Sequence, residues 1–191
     1  MPVESLRLKF KVLTPSRWKD LEKLFGKRGA CGGCWCMWWK LSRKDFEKQK
    51  GIKNKNAFKK IVLNNEKPGI LAYFNDEPVG WCAISPREKY PFLESSRVLK
   101  RIDEQKVWSV VCFFVEKPFR KKGITIELLK ATIDYVRKSG GKILEGYPIE
   151  PINGKTADVF AWTGIASAFR KAGFNEIARH SPTRPIMRKY I

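Results

Sequence analysis

The stretch 106–140, KVWSVVCFFVEKPFRKKGITIELLKATIDYVRKSG, constrains the fold more than any other part of the chain. It opens on a nearly unbroken run of β-branched and aromatic residues over 107–115, the pattern of a buried strand. Pro118 and the basic residues Arg120, Lys121 and Lys122 follow, then Gly123. Beyond them Ile126, Leu129, Ile133 and Val136 recur at helical spacing, which predicts an amphipathic helix. A strand that runs through a glycine-containing turn into a helix aims backbone N–H groups and a positive dipole end at one point. That point suits a phosphate or pyrophosphate.

Phe114-Val115, Pro118 and Arg120-Lys121-Lys122-Gly123-Ile124-Thr125 together resemble the acyl-CoA pyrophosphate loop of the GNAT acetyltransferase superfamily. That loop reads Arg/Gln-x-x-Gly-x-Gly/Ala after a strand ending in valine, and Thr125 stands where the family has Gly or Ala. Downstream, ASAFRKAGF over 166–174 is similar to the family's penultimate helix, which ends in Gly-Phe before a strand. The resemblance runs from about Leu6 to the C-terminus. It implies one N-acetyltransferase-like domain over 1–191, of α/β (α+β) class, with a mixed, mostly antiparallel central sheet and helices on both faces.

The resemblance also implies chemistry. Acetyl-CoA would be the co-substrate, and its acetyl group would pass directly to an amine acceptor, a small molecule or a peptide. The backbone of Phe113, Phe114 and Val115 would pair with the pantetheine arm, while Arg120, Lys121, Lys122, Gly123, Ile124 and Thr125 would hold the pyrophosphate. The splay between the central strand and the strand ending at Tyr147 would receive the arm. Many relatives carry a tyrosine in the helix before Gly-Phe. Here that position is Phe169, which cannot donate a proton to the leaving thiolate. Tyr147 and Ser167 are the expected replacements. Glu145 and Glu150, at the end of the predicted strand 142–147, are the expected bases, against the plainer reading of each as a surface carboxylate. Cys112 lies in the cofactor strand, where packing is its default role and an acyl-cysteine the alternative.

The segment 29–40, GACGGCWCMWWK, supports three readings. Cys31, Cys34 and Cys36 have spacing suited to zinc, but a closed site needs a fourth ligand, and only Cys82, Cys112 or the lone His180 could supply it from afar. A redox Cys-x-x-Cys pair lacks the usual strand and helix setting. The favoured reading is a packed loop of small thiols and indoles lying over the acceptor cleft, with no metal. By the resemblance this is the acceptor-binding region, so Trp35, Trp38 and Trp39 are expected to line an aromatic acceptor pocket.

Composition bounds the rest. A chain of 191 residues with 43% hydrophobic content can bury a sizeable core. No apolar run reaches the length of a membrane span, and the N-terminus shows no export signal, so a cytoplasmic protein with reduced thiols is expected. The net charge of +20 is spread along the chain and concentrated only over 43–60. It suits anionic ligands, and it keeps open a second reading in which the fold is retained as a basic nucleic-acid-binding module. Alternating residues predict a first strand over 5–13, and Thr14-Pro15 starts a helix bearing Trp18, Leu21, Leu24 and Phe25. Helical spacing over 45–64 is broken near Gly51, and Asn75-Asp76-Glu77-Pro78 joins strands over 70–74 and 79–84. The segment 90–101 reads as a loop with a short helical piece, either lid or packing. Pro148, Pro151, Asn153 and Gly154 make a loop, a helix follows over 164–171 with Gly173 as its stop, and strands are expected over 174–178 and 186–190.

Overall fold

Alternation of Leu8, Phe10 and Val12 with lysines makes the first strand, β1 (Leu8–Val12), half-buried, as an edge strand should be. A short 3-10 turn, Pro15–Arg17, leads into α1 (Trp18–Phe25). Thr14 does not cap it: its hydroxyl engages Ser16 and Arg17 instead of a helix amide. α1 buries Trp18, Leu21, Leu24 and Phe25, each contributing about 1.5–3 kcal/mol of apolar burial. The break at Gly51, whose φ is 84°, separates α2 (Arg43–Gln49) from α3 (Ile52–Leu63). Ser42 caps α2 by accepting the Asp45 amide.

β2 (Gly69–Phe74) and β3 (Glu77–Pro86) form a hairpin whose two turn residues, Asn75 and Asp76, both have positive φ, as a tight two-residue turn requires. A short helix, α4 (Pro91–Glu94), precedes the central strand β4 (Trp108–Val115) and helix α5 (Ile124–Lys138). β5 (Ile143–Gly146) follows, then a 3-10 segment, Asp158–Thr163, and α6 (Ala166–Lys171). β6 (Asn175–Arg179) and β7 (Pro185–Tyr190) close the chain. The computed structural model describes residues 7–152 and 158–191; the expected loop residues Asn153 and Gly154 lie outside them.

The strands form one sheet in the order β1-β2-β3-β4-β5-β7-β6, antiparallel throughout except for the β4–β5 pair. One face is covered by α1, α2, α3 and the 29–41 segment; the other by α5 and α6. The α5 stripe is rotated slightly from expectation. Leu128 and Thr132 are fully buried with Leu129, Ile133 and Val136, whereas Ile126 is only half-buried. Two features of β4 position everything that follows. A bulge opposite Ala83 and Ile84 turns Val111 and Cys112 toward the same face. In addition, pairing with β5 ends at Val110–Gly146 while β4 continues to Val115.

Candidate active site

Because β5 stops pairing at Gly146, the two parallel strands part and leave a gap beside residues 111–115. Phe113 faces α6 across this gap. Its ring lies 6.0 Å from that of Phe169, and Gly164 backs onto both rings. A Cβ on Gly164 would lie 2.7 Å from the Phe169 ring and 3.0 Å from that of Phe113. Gly146 is equally confined, since a side chain there would run into Phe169. Phe169 therefore packs as a fully buried core residue against Phe113 and Phe174.

Past Val115 the chain makes a 3-10 turn, Lys117–Phe119, and Arg120 Nε reaches back to the Val115 carbonyl at 3.0 Å. Lys121 (φ 59°) and Gly123 (φ 77°) are left-handed. Among the described residues, the N–H groups of Lys121, Lys122, Gly123, Ile124 and Thr125 have no internal acceptor; the first helical bond into this turn is Ile126 to the Gly123 carbonyl. They sit at the N-terminus of the fifteen-residue α5, where the dipole favours an anion. Lys122 leans over the Phe119 ring at 5.5 Å. The amides of this turn thus form a cradle with the geometry and dipole that suit an anion, beside the edge of β4 that β5 leaves unpaired.

Of the expected catalytic residues only Glu145 and Tyr147 meet, at 2.6 Å, and they do so inside a buried ion-pair network. Glu145 is 1% exposed, and both its oxygens are taken. Arg87 and Tyr147 bind one, at 2.9 and 2.6 Å, and Arg188 binds the other at 2.7 Å. Tyr147 is fully buried: its hydroxyl donates to Glu145, meets Ser109 at 2.8 Å and accepts from Arg87 at 2.7 Å. Burial and the neighbouring Glu145 hold that phenol well above its usual range, so it is a poor proton donor. Glu150 lies on the surface between Arg170, at 2.6 Å, and Arg179. Those hydrogen bonds, Arg179 first, lower its pKa and weaken it as a base. Ser167 is exposed on α6. The buried ion-pair network thus reassigns Glu145 and Tyr147 from proton transfer to holding the roots of β4 and β5 together. Arg87 also binds Glu94 (2.6 Å) and the Leu99 carbonyl (2.8 Å), and Arg188 grips Asp103 with two bonds. The 90–101 segment is consequently anchored, and packing rather than a lid describes it. Ser109 was the visible signal for this network, a polar residue in an otherwise apolar strand; nothing in the chain marked Arg87.

The 29–41 segment divides. Its three glycines and three other residues, Gly29, Ala30, Gly32, Gly33, Trp35 and Cys36 in all, are left-handed, which explains the glycine density and stores strain at the non-glycine positions. Trp35 does not line an acceptor pocket. It is 4% exposed and packs against α1, 6.1 Å from Trp18 and 5.6 Å from Phe25. Trp38 and Trp39 do stand near the gap, packed with Phe92 and Trp162, and the Trp39 indole donates to the bulged Val111 carbonyl at 3.2 Å. The thiols are dispersed in role: Cys31 is exposed, Cys34 bonds the Gly29 carbonyl, and Cys36 meets Cys112 at 3.9 Å and accepts from Trp81 at 3.0 Å. Among the described residues no three His, Cys, Asp or Glu side chains converge to hold a metal ion. Burial pushes Cys34 up to about 12, and a protonated thiol is a poor ligand or nucleophile.

The sequence profile of the GNAT acetyltransferase family matches residues 35–156, which include the bulged strand, the cradle and the gap. The chain belongs to the GNAT acetyltransferase family. It is an acyl-CoA-dependent N-acyltransferase. Solved GNAT structures share its fold at low identity. One is an acetyltransferase of the family from Listeria monocytogenes (8% identity, TM-score 0.60, covering 100% of this chain and 99% of that one). Another is the PaiA N-acetyltransferase of Thermoplasma acidophilum, in complex with coenzyme A (14%, TM-score 0.55, 97% and 100%). A third is a ribosomal-protein-S5-alanine acetyltransferase from Vibrio fischeri (12%, TM-score 0.54, 96% and 92%). No curated protein matches the chain in sequence. In this GNAT domain the cradle of main-chain amides lies at the start of α5, and the aromatic cluster lies on the opposite face of the sheet. Among the described residues no helix is long and apolar enough to cross a membrane.

Proposed function

We propose that this GNAT chain moves an acetyl group from acetyl-CoA directly to an amine on a small molecule or peptide. The observation that carries the reading is the row of main-chain N–H groups from Lys121 to Thr125, without internal acceptors, where α5 begins beside the free edge of β4. Those amides and the lysines would hold the pyrophosphate. The backbone of Phe113, Phe114 and Val115 would pair with the pantetheine arm, drawing the thioester toward the Val111 bulge and the Trp38–Trp39–Trp162 cluster.

Glu145, Tyr147 and Glu150 are each tied to arginine, so in this reading the amine gives its proton to solvent and reacts as the free base. The thiolate leaves without a tyrosine donor, since Phe169 stands at that position. Rate should therefore rise with pH until the acceptor's own pKa is passed.

Calorimetric titration with coenzyme A tests the cradle. Lys122→Glu, which adds charge without backbone strain, and Gly123→Glu should each weaken binding at least about tenfold, or about 1.4 kcal/mol. Unchanged affinity in both variants would remove the basis of the assignment. Nucleic-acid binding with a steep salt slope, indifferent to acetyl-CoA, would favour the binding-module reading instead.

A further inference from the structure

Arg184, in the turn between β6 and β7, differs from the arginines around it. Arg170 and Arg179 share Glu150 and Glu176, and Arg188 is held by Asp103 and Glu145. Arg184 is half-buried, yet its guanidinium has one protein partner among the described residues, the Thr163 hydroxyl at 3.1 Å. A guanidinium carries five N–H donors in a planar fork, so most of its capacity is unused. Desolvation by burial lowers its pKa, and among the described residues no carboxylate pairs with it.

Its location gives that charge a purpose. Thr163 is buried, and Gly164 after it lies against Phe113 of the gap. Trp162 before it packs 5.8 Å from Trp39, whose indole binds Val111 at the bulge. Through Thr163 the guanidinium is thus tied to the segment where the gap meets the aromatic cluster. In the acetyl-transfer reading coenzyme A's pyrophosphate occupies the α5 cradle. Thr163 lies instead beside the aromatic cluster, so an anion bound here would belong to the other substrate.

We propose that the acceptor is an amine that itself carries an oxyanion, a carboxylate or a phosphate, and that Arg184 seats this group while the amine faces the thioester. The assignment rests on the acetyl-transfer reading for its amine, and on Arg184 alone for its anion. Charge-assisted bidentate pairing of this kind fits a planar fork, and the overall charge of +20 assists capture of such acceptors.

The test uses matched acceptors with acetyl-CoA: glycine, β-alanine, 4-aminobutanoate and phenylalanine against their carboxamides, and phosphoethanolamine against ethanolamine. Thiol release is followed for the parent, Arg184→Gln and Arg184→Lys. At least one anionic member should exceed its neutral counterpart by about tenfold or more in kcat/KM. Arg184→Gln should abolish that preference while sparing the neutral amine, and Arg184→Lys should restore part of it. The pair that responds separates carboxylate from phosphate. Binding of the N-acetylated anionic products to the same proteins, read by calorimetry without coenzyme A, should weaken about tenfold in Arg184→Gln. Equal rates within every pair, equal losses for charged and neutral acceptors, or unchanged product binding would overturn the proposal. So would a loss of coenzyme A affinity in Arg184→Gln, which would return this cation to the nucleotide. If coenzyme A binds nowhere, the acetyl-transfer reading fails by itself, and the product titration still decides the anion site.

Discussion

Glu145 shows how burial decides what a carboxylate does. With two arginines and a tyrosine on its oxygens and no access to solvent, it neutralises Arg87 and Arg188 inside the sheet. Removing its charge leaves the buried sides of two guanidinium groups without their carboxylate, with only the more exposed Glu94 and Asp103 still paired to them. Glu145→Gln should therefore cost about 3–5 kcal/mol in urea denaturation. A general base would behave oppositely, with stability retained and turnover lost, so the two measurements together separate the roles. Asp103 carries the pH signature of the same network. Its hydrogen bonds to Arg188 lower its pKa to about 2 in the folded protein, below the unfolded value. The unfolded chain thus binds the proton first. The stabilisation is complete above about pH 4 and disappears as pH falls toward 2. Asp103→Asn should be less stable than the parent at neutral pH, with the deficit shrinking across that interval in acid-titrated unfolding curves.

At the scale of elements, the parting of β4 and β5 is the decisive feature, and small residues keep it in place. Gly146 ends the pairing against the Phe169 ring, and an added methyl there has no space. Gly146→Ala should destabilise the fold by about 1–3 kcal/mol, measured by thermal unfolding. Phe169→Ala should cost about 3–5 kcal/mol, because the ring is fully buried. Much at this scale was legible beforehand. The strand-turn-helix unit at 107–138, the hairpin at Asn75-Asp76, the break at Gly51 and the stop at Gly173 all rest on local backbone chemistry, and all are present. Element ends moved by a residue or two because tertiary hydrogen bonds set them. Trp35 was placed wrongly for a related reason. Its left-handed backbone swings the indole onto α1, away from Trp38 and Trp39, and adjacency in sequence carries no record of that turn.

For the molecule as a whole, the charge of +20 exceeds what the internal ion pairs use. Lysines over α2 and α3 and along the phosphate turn repel one another across a single compact sheet. Raising ionic strength from about 0.05 to 0.5 M shortens the screening length and should raise the melting temperature. The same salt should weaken capture of coenzyme A, since that encounter draws on the same field. A melting temperature insensitive to salt would mean that the positive surface is already balanced by bound anions.

What the chain's own order determined is the class of fold and the anion cradle, because strand periodicity, a glycine with positive φ and a helix start act between near neighbours. Tertiary structure alone decided which charged groups have partners. Glu145 and Arg87 are 58 residues apart, and Arg188 and Asp103 are 85 apart, so their mutual neutralisation exists only once the sheet is assembled. Arg184 is the converse case. Among the described residues it differs from its neighbours in having no carboxylate partner, and that becomes visible only once the sheet is assembled.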